Sequence, residues 1–420
     1  MPFSNRAPVL VVTGKNPLEA PGGYAAYGHN LCAVLCGLGH RVHIVALGSR
    51  NASMATDVGQ LHLVRNELAS TLPFIADLQM TALPFYSFSF AKRIEAIVGG
   101  QPSLIWGLGP WALAGALFKQ RRSPASTLIA SYFTTFLHEM RGSLAAIHVR
   151  DYGLRLKLQY AGVVGAIGPV FRQMERFLLR QADIVVTHYQ SSEEILSTEL
   201  GVPRRKFHRM AYYTEVFDRS APPALLEDLR RPLVLTVCRQ DPRKGINFLL
   251  RAMAILAARG VAAHCLVAGG GSMLQENRRL AARLQVADRV TFAGFVGQVR
   301  PLLELADVFV FPAVEEGAGS LSVLEAMSVG APMVVTEIDG LVEDVQHGQS
   351  ALLVPSKDPV ALADALETLL GDRALARRLG QGARQAYQRK FSMAAMQRDV
   401  EALLCALDVP AVVRPEASAR

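Results

Sequence analysis

The sequence predicts an α/β protein made of two Rossmann-like, doubly wound domains that face a central cleft. Short, continuous apolar runs of strand length alternate with helical patterns, and this alternation starts again near residue 230. Such runs are typical of parallel strands that helices cover on both faces. The 420 residues also exceed what one hydrophobic core usually accommodates, and a hydrophobic content of 50% excludes a disordered chain.

The first half begins with a βαβ pattern. The apolar strand PVLVVTG (8–14) leads into a loop with the pair Gly22-Gly23, a helical pattern at 24–38 and a second strand, GHRVHIVALG (39–48). This order predicts a right-handed parallel unit. The alternation continues with STLIASYF (126–133) and DIVVTH (183–188).

The second half repeats the pattern. The strand PLVLTVC (232–238) is followed by RQDPRKG, a helical pattern at 246–260 and the strand AHCLVAGGG (263–271). Two further strands are RVTFAGF (289–295) and DVFVFPA (307–313). Because 219–232 is rich in proline and charge, it is typical of a linker. We therefore expect domains at 1–219 and 220–390, then a C-terminal helix within 391–420 that packs back on the first domain and ends in a frayed tail.

The cysteines and the apolar segments indicate the compartment of the protein and whether it spans a membrane. Five cysteines without a C-x-x-C pair are typical of buried thiols in a reducing cytosol, and the first residues lack the features of a signal peptide. The apolar run 103–118 is shorter than a membrane span and is broken by Gly107, Gly109 and Pro110. We expect a buried strand, a turn and a helix start there, and a soluble, cytoplasmic protein.

The net charge of +8 is confined to the first half. Residues 1–220 hold 22 Lys and Arg against 14 Asp and Glu, whereas residues 221–420 hold 22 of each. Such asymmetry indicates either an anionic partner or a solvated basic face. The positive charge is concentrated in four segments: 119–122, 150–157, 171–180 and 203–209. Apolar residues are interleaved with it, among them Phe171, Phe177, Leu178 and Leu179. This pattern favours anionic lipid over nucleic acid as a partner, because no base-stacking platform accompanies the charge.

A dinucleotide-binding dehydrogenase is not supported. No G-x-G-x-x-G follows either opening strand, and GGGSML (269–274) has a different spacing. Candidate ligand residues lie instead at the ends of other strands in the second half. Arg239 follows one such strand and Lys244 comes five residues later. The two cations suit a diphosphate, or are simply solvated loop cations.

The stretch VEEGAGSLSVLEAM (314–327) places glutamates at both ends of a loop of small residues. Gly317 and Gly319 permit close backbone approach, and a helix that starts near Ser320–Ser322 would aim N–H groups at an anion. Ser322 and Glu325 also have the spacing of a capping box, in which Glu325 serves only the helix end. In the alternative, the glutamates accept hydrogen bonds from the ribose and hexose hydroxyls of a nucleotide-diphosphate sugar.

These residues belong to a longer pattern. From Leu233 to about Phe391 the chain resembles the donor-binding half of the GT4-type retaining glycosyltransferases, which have the GT-B fold. The matching segments are R-x-x-x-x-KG (239–245), VAGGGS (267–272), VTFAGFV (290–296), DVFVFPA-x-EEGAG-x-LSVLEAM (307–327), GAPMVVTEIDG (330–340) and HGQSALLVPSKDPVALADAL (347–366). The first half matches less densely, through the Gly22-Gly23 loop, GHRVHIVA and ADIVVTHYQSS (182–192).

The resemblance implies a retaining glycosyltransferase whose first domain binds the acceptor and whose second domain binds a nucleotide-diphosphate sugar. Arg239 and Lys244 would hold the donor diphosphate and take part in catalysis. Glu316 would contact the donor sugar and also take part in catalysis, and Glu325 would contact the ribose. The other donor-binding residues that it implies are Gly22, Gly23, Gly317, Gly319, Leu321 and Ser322.

The chain departs from the family pattern at three points. Eight residues instead of seven separate Glu316 from Glu325, so either Glu315 or Glu316 could be the first site glutamate. The histidine that commonly follows the strand before the acceptor site is not obvious, and His138, the nearest histidine, is the candidate substrate-binding residue in that region. The usual N-G-[VI]-D turn at the domain junction is replaced by AYYTEVFD (211–218).

No D-x-D triplet occurs, so we expect no metal ion to bridge the diphosphate, and no other cofactor. Arg239, Lys244 and the helix dipole would then stabilise the leaving group electrostatically. A nucleotide-sugar epimerase or hydrolase of the same fold, and a non-catalytic sugar-nucleotide binder, remain alternatives. The basic first half favours an acidic or lipid-phosphate-linked acceptor, reached by peripheral binding to the cytoplasmic face of a membrane.

Overall fold

The computed structural model describes residues 8–18, 23–65, 83–213, 230–317 and 319–407. Within these ranges each half of the chain forms one β-sheet with helices packed on it. The predicted fold class, two Rossmann-like α/β domains, is confirmed. The 219–229 part of the expected linker and the expected tail at 408–420 lie outside the described residues.

The first sheet contains β1 (Val9–Val12), β2 (Val42–Gly48), β3 (Ala52–Thr56), β4 (Gly59–Arg65), β5 (Leu104–Leu108), β6 (Thr127–Ser131), β7 (Ile184–Thr187) and β8 (Phe207–Arg209). Their order is β3-β4-β2-β1-β5-β6-β7-β8. The pair β3–β4 is antiparallel, and the other neighbours in this sheet are parallel.

The second sheet is parallel throughout its described strands. It contains β9 (Leu233–Val237), β10 (His264–Ala268), β11 (Val290–Gly294), β12 (Val308–Phe311), β13 (Met333–Thr336) and β14 (Leu352–Val354). Their order is β11-β10-β9-β12-β13-β14.

Helices connect the strands in both halves. Those of the first half are α1 (Gly23–Gly37), α2 (Leu83–Val98), α3 (Leu113–Arg121), α4 (Phe136–Ala146), α5 (Val149–Tyr152), α6 (Leu154–Ala166), α7 (Gly168–Gln181) and α8 (Gln190–Leu200). Those of the second half are α9 (Ile246–Ala258), α10 (Leu274–Arg283), α11 (Arg300–Leu305), α12 (Leu321–Val329), α13 (Leu341–Asp344), α14 (Pro359–Gly371), α15 (Arg373–Lys390) and α16 (Met393–Ala406). Short 3-10 turns occupy Gly109–Ala112, Arg204–Lys206, Pro242–Lys244 and Ala287–Arg289.

Strand β1 shows why the opening apolar runs become central strands. All four of its residues are buried, and successive side chains point to opposite faces. Val9 and Val11 join the cluster that contains Leu31 of α1, whereas Leu10 and Val12 join the cluster that contains Trp111. A strand covered on both faces must be apolar at every position, which is the pattern in the sequence.

Each sheet reverses its strand order beside its first strand. In the first sheet β1 lies between β2 and β5, and in the second β9 lies between β10 and β12. Such switch points open a crevice at the carboxyl ends of parallel strands, where α/β proteins bind ligands. The residues after β1, β9 and β12 are therefore placed at the crevices.

The apolar run 103–118 forms β5, a 3-10 turn and the start of α3, as predicted. No helix in the described ranges is both long enough and apolar enough to cross a membrane. The expectation that Phe171, Leu178 and Leu179 lie on a lipid-facing surface is wrong. These three side chains are buried against the rest of the first half, because α7 turns this apolar face inward.

The final described helix, α16, returns to the first half and packs on α1. Its Asp399 carboxylate accepts a hydrogen bond from the backbone N–H of Ala211 at 2.7 Å. Met396, Val400 and Leu403 of α16 belong to the same hydrophobic cluster as Leu31 of α1. The C-terminal residues of the described chain thus pack back on the first half, as the sequence predicted.

Candidate active site

The loop between β12 and α12 lies between the two halves of the chain. Its Val314 N–H donates to the carbonyl of Arg243 at 2.7 Å within the second half. From the first half, Ser192 Oγ donates to the carbonyl of Gly317 at 2.5 Å. A Cβ on Gly317 would lie 2.9 Å from Thr134 Oγ1, so only glycine fits this approach.

Helix α12 begins at Leu321, with Ser320 as its N-cap, as the sequence indicates. The Ser320 side chain makes no capping bond and lies 3.0 Å from the hydroxyl of Ser322. The capping-box interpretation of Ser322 and Glu325 is therefore wrong, because Ser322 lies inside the first turn. Both serine hydroxyls and the helix N-terminus instead lie at the crevice after β12.

Glu315 and Glu316 are buried and form ion pairs with the Pro242–Lys244 turn. Arg243 Nη1 lies 3.1 Å from Glu315 Oε2 and 3.3 Å from Glu316 Oε2, and Lys244 Nζ pairs with Glu316 Oε2. The side chains of Lys244 and Glu316 are only 9% and 10% exposed. The structure therefore brings the predicted Lys244 and Glu316 into direct contact.

In this cluster, burial and the neighbouring charges shift the pKa values in opposite directions. Burial raises the pKa of Glu315 above its ordinary value, although the Arg243 guanidinium acts to lower it. Burial alone would lower the pKa of Arg243, but Glu139, Glu316 and Glu315 outweigh it and raise that pKa. Arg243 is therefore a permanent cation that neutralises two glutamates at the loop.

Arg239 lies in a different environment from Lys244. Its side chain is 68% exposed, and its guanidinium lies 2.7 Å from Asp241. Burial and, second, the charge of Arg239 lower the pKa of Lys15, which follows β1 in the first half. Two cations from opposite halves thus face the same part of the crevice, where an anion would relieve their repulsion.

The starts of α1 and α12 meet across the crevice. A Cβ on Gly23 would lie 3.1 Å from Leu321 Cδ2 and 3.3 Å from the Tyr212 hydroxyl oxygen. Two helix N-termini, each with a partial positive charge, converge at this point. Gly22 lies outside the described residues.

Glu325 lies half-buried one turn into α12. Burial is the main reason why the pKa of Tyr212 is raised, and the charges of Glu316 and Glu325 both add to the effect. The two glutamates are therefore close enough to influence the same hydroxyl, next to Gly23. Such a cluster can hold a polyhydroxylated ligand beside an anion.

Gly319 lies in the left-handed region at φ +67°, and a Cβ there would lie 2.3 Å from the Tyr189 ring. Tyr189, which comes from the first half, donates its hydroxyl to Asp344 at 2.8 Å. Glycine is required here for both conformation and space.

His138 lies beside the loop and is surrounded by carboxylates of both halves. Its Nδ1 lies 3.8 Å from Glu199, and its Nε2 lies 3.8 Å from both Glu315 and Asp339. Burial alone would lower its pKa, but the close contacts with Asp339 and Glu199 and the charge of Glu315 raise the pKa to about 10. His138 is therefore an imidazolium at neutral pH.

The same residues are the candidates for a metal site. Ligand atoms of His138, Glu315 and Asp339 lie within 4.8 Å of one another. A metal ion would require a neutral imidazole, whereas the carboxylates favour the protonated one. Without a metal ion, the His138 imidazolium itself contacts carboxylates of both halves.

Sequence reasoning missed three charged residues of the site: Lys15, Arg243 and Asp339. Lys15 follows the first strand, and Arg243 directly precedes Lys244, so position offered a signal for both. Asp339 contributes through its carboxylate, which accepts from the backbone N–H of Glu316 at 3.0 Å. That contact joins residues from two separate loops and leaves no trace in the sequence.

Both halves of the chain match described protein families. Residues 22–212 match the family "Glycosyl transferase 4-like domain", and residues 231–372 match "Glycosyl transferases group 1". Together these regions contain most of the crevice residues described above.

Curated relatives are glycosyltransferases. A GDP-mannose-dependent alpha-(1-6)-phosphatidylinositol monomannoside mannosyltransferase from Mycolicibacterium smegmatis is 33% identical over 309 residues, 69% of this chain and 73% of that protein. An alpha-D-kanosaminyltransferase from Streptomyces kanamyceticus is 27% identical over 237 residues, 54% of this chain and 61% of that protein. A Mycobacterium tuberculosis relative is matched over 48% of its length, so some matches span only half of the relative.

Solved structures share the fold. A sucrose-phosphate synthase from Thermosynechococcus elongatus has a TM-score of 0.73 at 23% identity, over 96% of this chain and 99% of that one. Anabaena HepE in complex with UDP and glucose has a TM-score of 0.64 at 17% identity, over 95% of this chain and 100% of that one. Since families match both halves and a relative aligns over two thirds of the chain, the protein belongs to the group 1, GT4-type glycosyltransferases and has the GT-B fold.

Proposed function

We propose that the protein is a retaining glycosyltransferase that moves a sugar from a nucleotide-diphosphate sugar to an acceptor. The observation that carries the proposal is the convergence at one crevice of Arg239, Lys15 and the starts of α1 and α12, beside the glutamate loop. Cations and helix N-termini suit a diphosphate, and carboxylates suit sugar hydroxyls. The names of the relatives, which include GDP-mannose-dependent and kanosaminyl transferases, support this reaction type.

In this mechanism Arg239 binds the donor diphosphate directly, because its guanidinium is exposed at the mouth of the crevice. Lys244, whose position is fixed by its ion pair with Glu316, adds a second positive charge. As the glycosyl–phosphate bond breaks, negative charge grows on the diphosphate, where the two cations and the α12 N-terminus stabilise it. Glu316 orients the donor sugar, and Glu325 accepts from the ribose hydroxyls.

The acceptor is proposed to be acidic or linked to a lipid phosphate, and to be reached at the cytoplasmic face of an anionic membrane. Helix α6 has no buried residue, and Leu154 and Leu158 on it are 58% and 61% exposed. Val149 and Val170 on the flanking helices are also exposed. Arg155 and Lys157 lie on the same helix, so the surface combines apolar and basic groups as anionic lipid requires.

A panel of nucleotide-diphosphate sugars tests the reaction type. The change in melting temperature identifies the bound donor, and product analysis with and without candidate lipid-phosphate acceptors identifies the reaction. A transferase consumes the donor only when an acceptor is present. Acceptor-independent consumption at the same rate would indicate a hydrolase or epimerase, and binding without turnover would indicate a sugar-nucleotide binder.

A further inference from the structure

Helices α4, α5 and α6 (136–166) leave the first half and contact the second half beside the donor crevice. We call them the bridge segment. Helix α4 packs on the Pro242–Lys244 turn, and a Cβ on Gly142 would lie 2.4 Å from Glu315 Cβ. At the end of α4, the carbonyl of Ala146 accepts from Asn247 Nδ2 at 3.2 Å. The bridge segment therefore touches the second half at its first helix and at several later points.

Asp151 anchors the bridge segment. Its side chain is fully buried, and Oδ2 accepts from Asn247 Nδ2 at 3.1 Å and from Arg251 Nε at 3.3 Å. Arg251 Nη2 pairs with Oδ1, and Arg283 donates to the Asp151 carbonyl. A buried carboxylate with this many donors fixes the position of its own backbone.

Tyr152, the next residue, begins a relay of hydrogen bonds into the second half. Its hydroxyl donates to Asn277 Oδ1 at 2.6 Å, and Asn277 Nδ2 donates to Gln240 Oε1 at 3.0 Å. Asn277 and Gln240 are both buried, with exposures of 1% and 0%. The first link is partly buried and the second is buried, so the loss of either leaves a polar group of the interior unsatisfied.

Three hydrogen bonds join Gln240 to the glycine loop after β10 (269–273). Its N–H donates to the carbonyl of Gly270 at 2.8 Å, and its Nε2 donates to the carbonyl of Gly269 at 2.7 Å. Its own carbonyl accepts from Met273 N–H at 2.9 Å. Because Gln240 directly follows Arg239, the position of Gln240 sets the backbone from which Arg239 extends.

We propose that Tyr152 is a positioning residue for the donor diphosphate: through Asn277 and Gln240 it holds the 238–240 backbone in the shape that presents Arg239. The proposal rests on the proposed function, in which Arg239 binds the diphosphate. Since Tyr152 belongs to the acceptor-binding half, donor affinity depends on the contact between the two halves. When the bridge segment separates from α10, the 238–240 backbone is no longer held in the shape that presents Arg239.

Tyr152→Phe tests the relay, because it removes one hydroxyl and keeps the ring. We expect calorimetry with GDP, UDP and ADP to show binding of the preferred nucleotide weakened about three- to tenfold. Tyr132→Phe is the matched control, since its hydroxyl donates to Glu175 at 2.8 Å wholly within the first half. An unchanged Kd in Tyr152→Phe, or an equal loss in Tyr132→Phe, would overturn the proposal.

Asn277→Ala breaks the same relay from the other half. If both residues act through Gln240, the double variant Tyr152→Phe/Asn277→Ala weakens binding no more than the stronger single variant. A purely structural role would instead lower the melting temperature of both variants and leave Kd unchanged at temperatures where they are folded. Additive losses in Kd would contradict a shared relay.

Amide hydrogen exchange of the ligand-free protein separates this proposal from the proposed function. Peptides that cover 238–245 and 269–273 should exchange faster in Tyr152→Phe than in the wild type and Tyr132→Phe. Unchanged exchange there would overturn the relay even if nucleotide binds. If the wild type binds no nucleotide, the proposed function fails, while the exchange measurement still decides whether Tyr152 positions this loop.

Discussion

Arg239 and Lys244 carry the same charge, but different contacts hold them. Arg239 is exposed beside Asp241, whereas Lys244 is buried and paired with Glu316. Removal of an exposed cation costs binding energy only. Removal of a buried cation also leaves a carboxylate without its partner, which costs stability.

Arg239→Ala should therefore raise the Kd of the preferred nucleoside diphosphate about 10- to 100-fold, because one charge-assisted hydrogen bond contributes about 1.5–3 kcal/mol. The melting temperature of this variant should not change. Lys244→Ala should weaken binding and also lower the free energy of unfolding by about 3–5 kcal/mol. Calorimetry and urea unfolding measure the two effects. Arg259→Ala, which removes an arginine paired with Asp364 at 2.7 Å, is the surface control. Wild-type kcat/KM in Arg239→Ala would contradict the assignment.

Glu315 and Glu316 can be separated in the same way. Glu316 lies on Lys244 and near Tyr212, whereas Glu315 faces Arg243 and His138. We expect Glu316→Gln to lower kcat about 10- to 100-fold, since it removes an ionic contact of about 1.5–3 kcal/mol. Glu315→Gln should reduce stability with a smaller effect on turnover. Equal effects on kcat would contradict the choice of Glu316, rather than Glu315, as the first site glutamate.

His138 makes the contact between the halves sensitive to pH. Its pKa is raised from 6.5 to about 10 by close contacts with the carboxylates of Asp339, Glu199 and Glu315, against the effect of burial. A raised folded-state pKa gives stability that is fully present below pH 6.5 and is lost as the pH rises through 10. The protonated ring therefore stabilises the contact between the two halves across the neutral range.

His138→Gln should lower the free energy of unfolding by about 1–3 kcal/mol at pH 6, and the difference from the wild type should shrink towards pH 10. Urea unfolding at pH 6, 8 and 10 measures it. His208→Gln is the control, because His208 lies on β8 at the edge of the first sheet. A constant difference across the three pH values would show that His138 does not act through its charge.

At the scale of elements, the turn between β9 and α9 depends on one glycine. Gly245 ends the 3-10 turn that carries Lys244 and precedes α9, at φ +67°. A Cβ there would lie 2.0 Å from the carbonyl oxygen of Pro312, the residue after β12. The close backbone approach is what brings Lys244 to the glutamate loop.

Gly245→Ala should therefore destabilise the protein by more than the about 1–2 kcal/mol that a left-handed alanine costs. Gly348→Ala is the matched control, since Gly348 has φ +72° and nothing within 4 Å of a Cβ. The control should lose only the conformational part. Free energies of unfolding from urea titration compare them, and equal losses would contradict the steric argument.

At the scale of the whole molecule, the excess positive charge and the exposed leucines of α6 lie on the same half. The bridge segment exposes Leu154 and Leu158 beside basic residues. We expect the protein to sediment with vesicles that contain anionic lipid, and the bound fraction to fall as salt is raised. Leu154→Ser/Leu158→Ser should reduce this binding severalfold, because it removes the apolar part of the contact.

Phe295→Ser is the control for the vesicle experiment. Phe295 is 67% exposed, but it lies in the second half, where acidic and basic residues balance. Its loss should leave vesicle binding unchanged. Equal binding to neutral and anionic vesicles, or no binding to either, would contradict the peripheral membrane proposal.

The sequence alone determined the fold class and supplied the candidate residues of the donor side. Strands such as β1 are buried on both faces, so every position is apolar and the strand is readable without knowledge of its partners. Arg239, Lys244 and the loop with Glu316 were predicted as site residues because they lie in the segments that follow such strands. Parallel strands place their carboxyl ends at one edge, which makes these positions candidates for a site.

Only the tertiary structure decided which charges are paired and which surfaces are exposed. Arg243 and Glu315 are 72 residues apart, and Asp151 and Asn247 are 96 residues apart, so no local pattern records either contact. Helix α7 shows the same limit, since its spacing puts Phe171 and Leu178 on one face but does not say whether that face meets solvent or a core. Local sequence fixes the elements because their backbone bonds and periodicity are local, whereas burial and ion pairing depend on what packs against them.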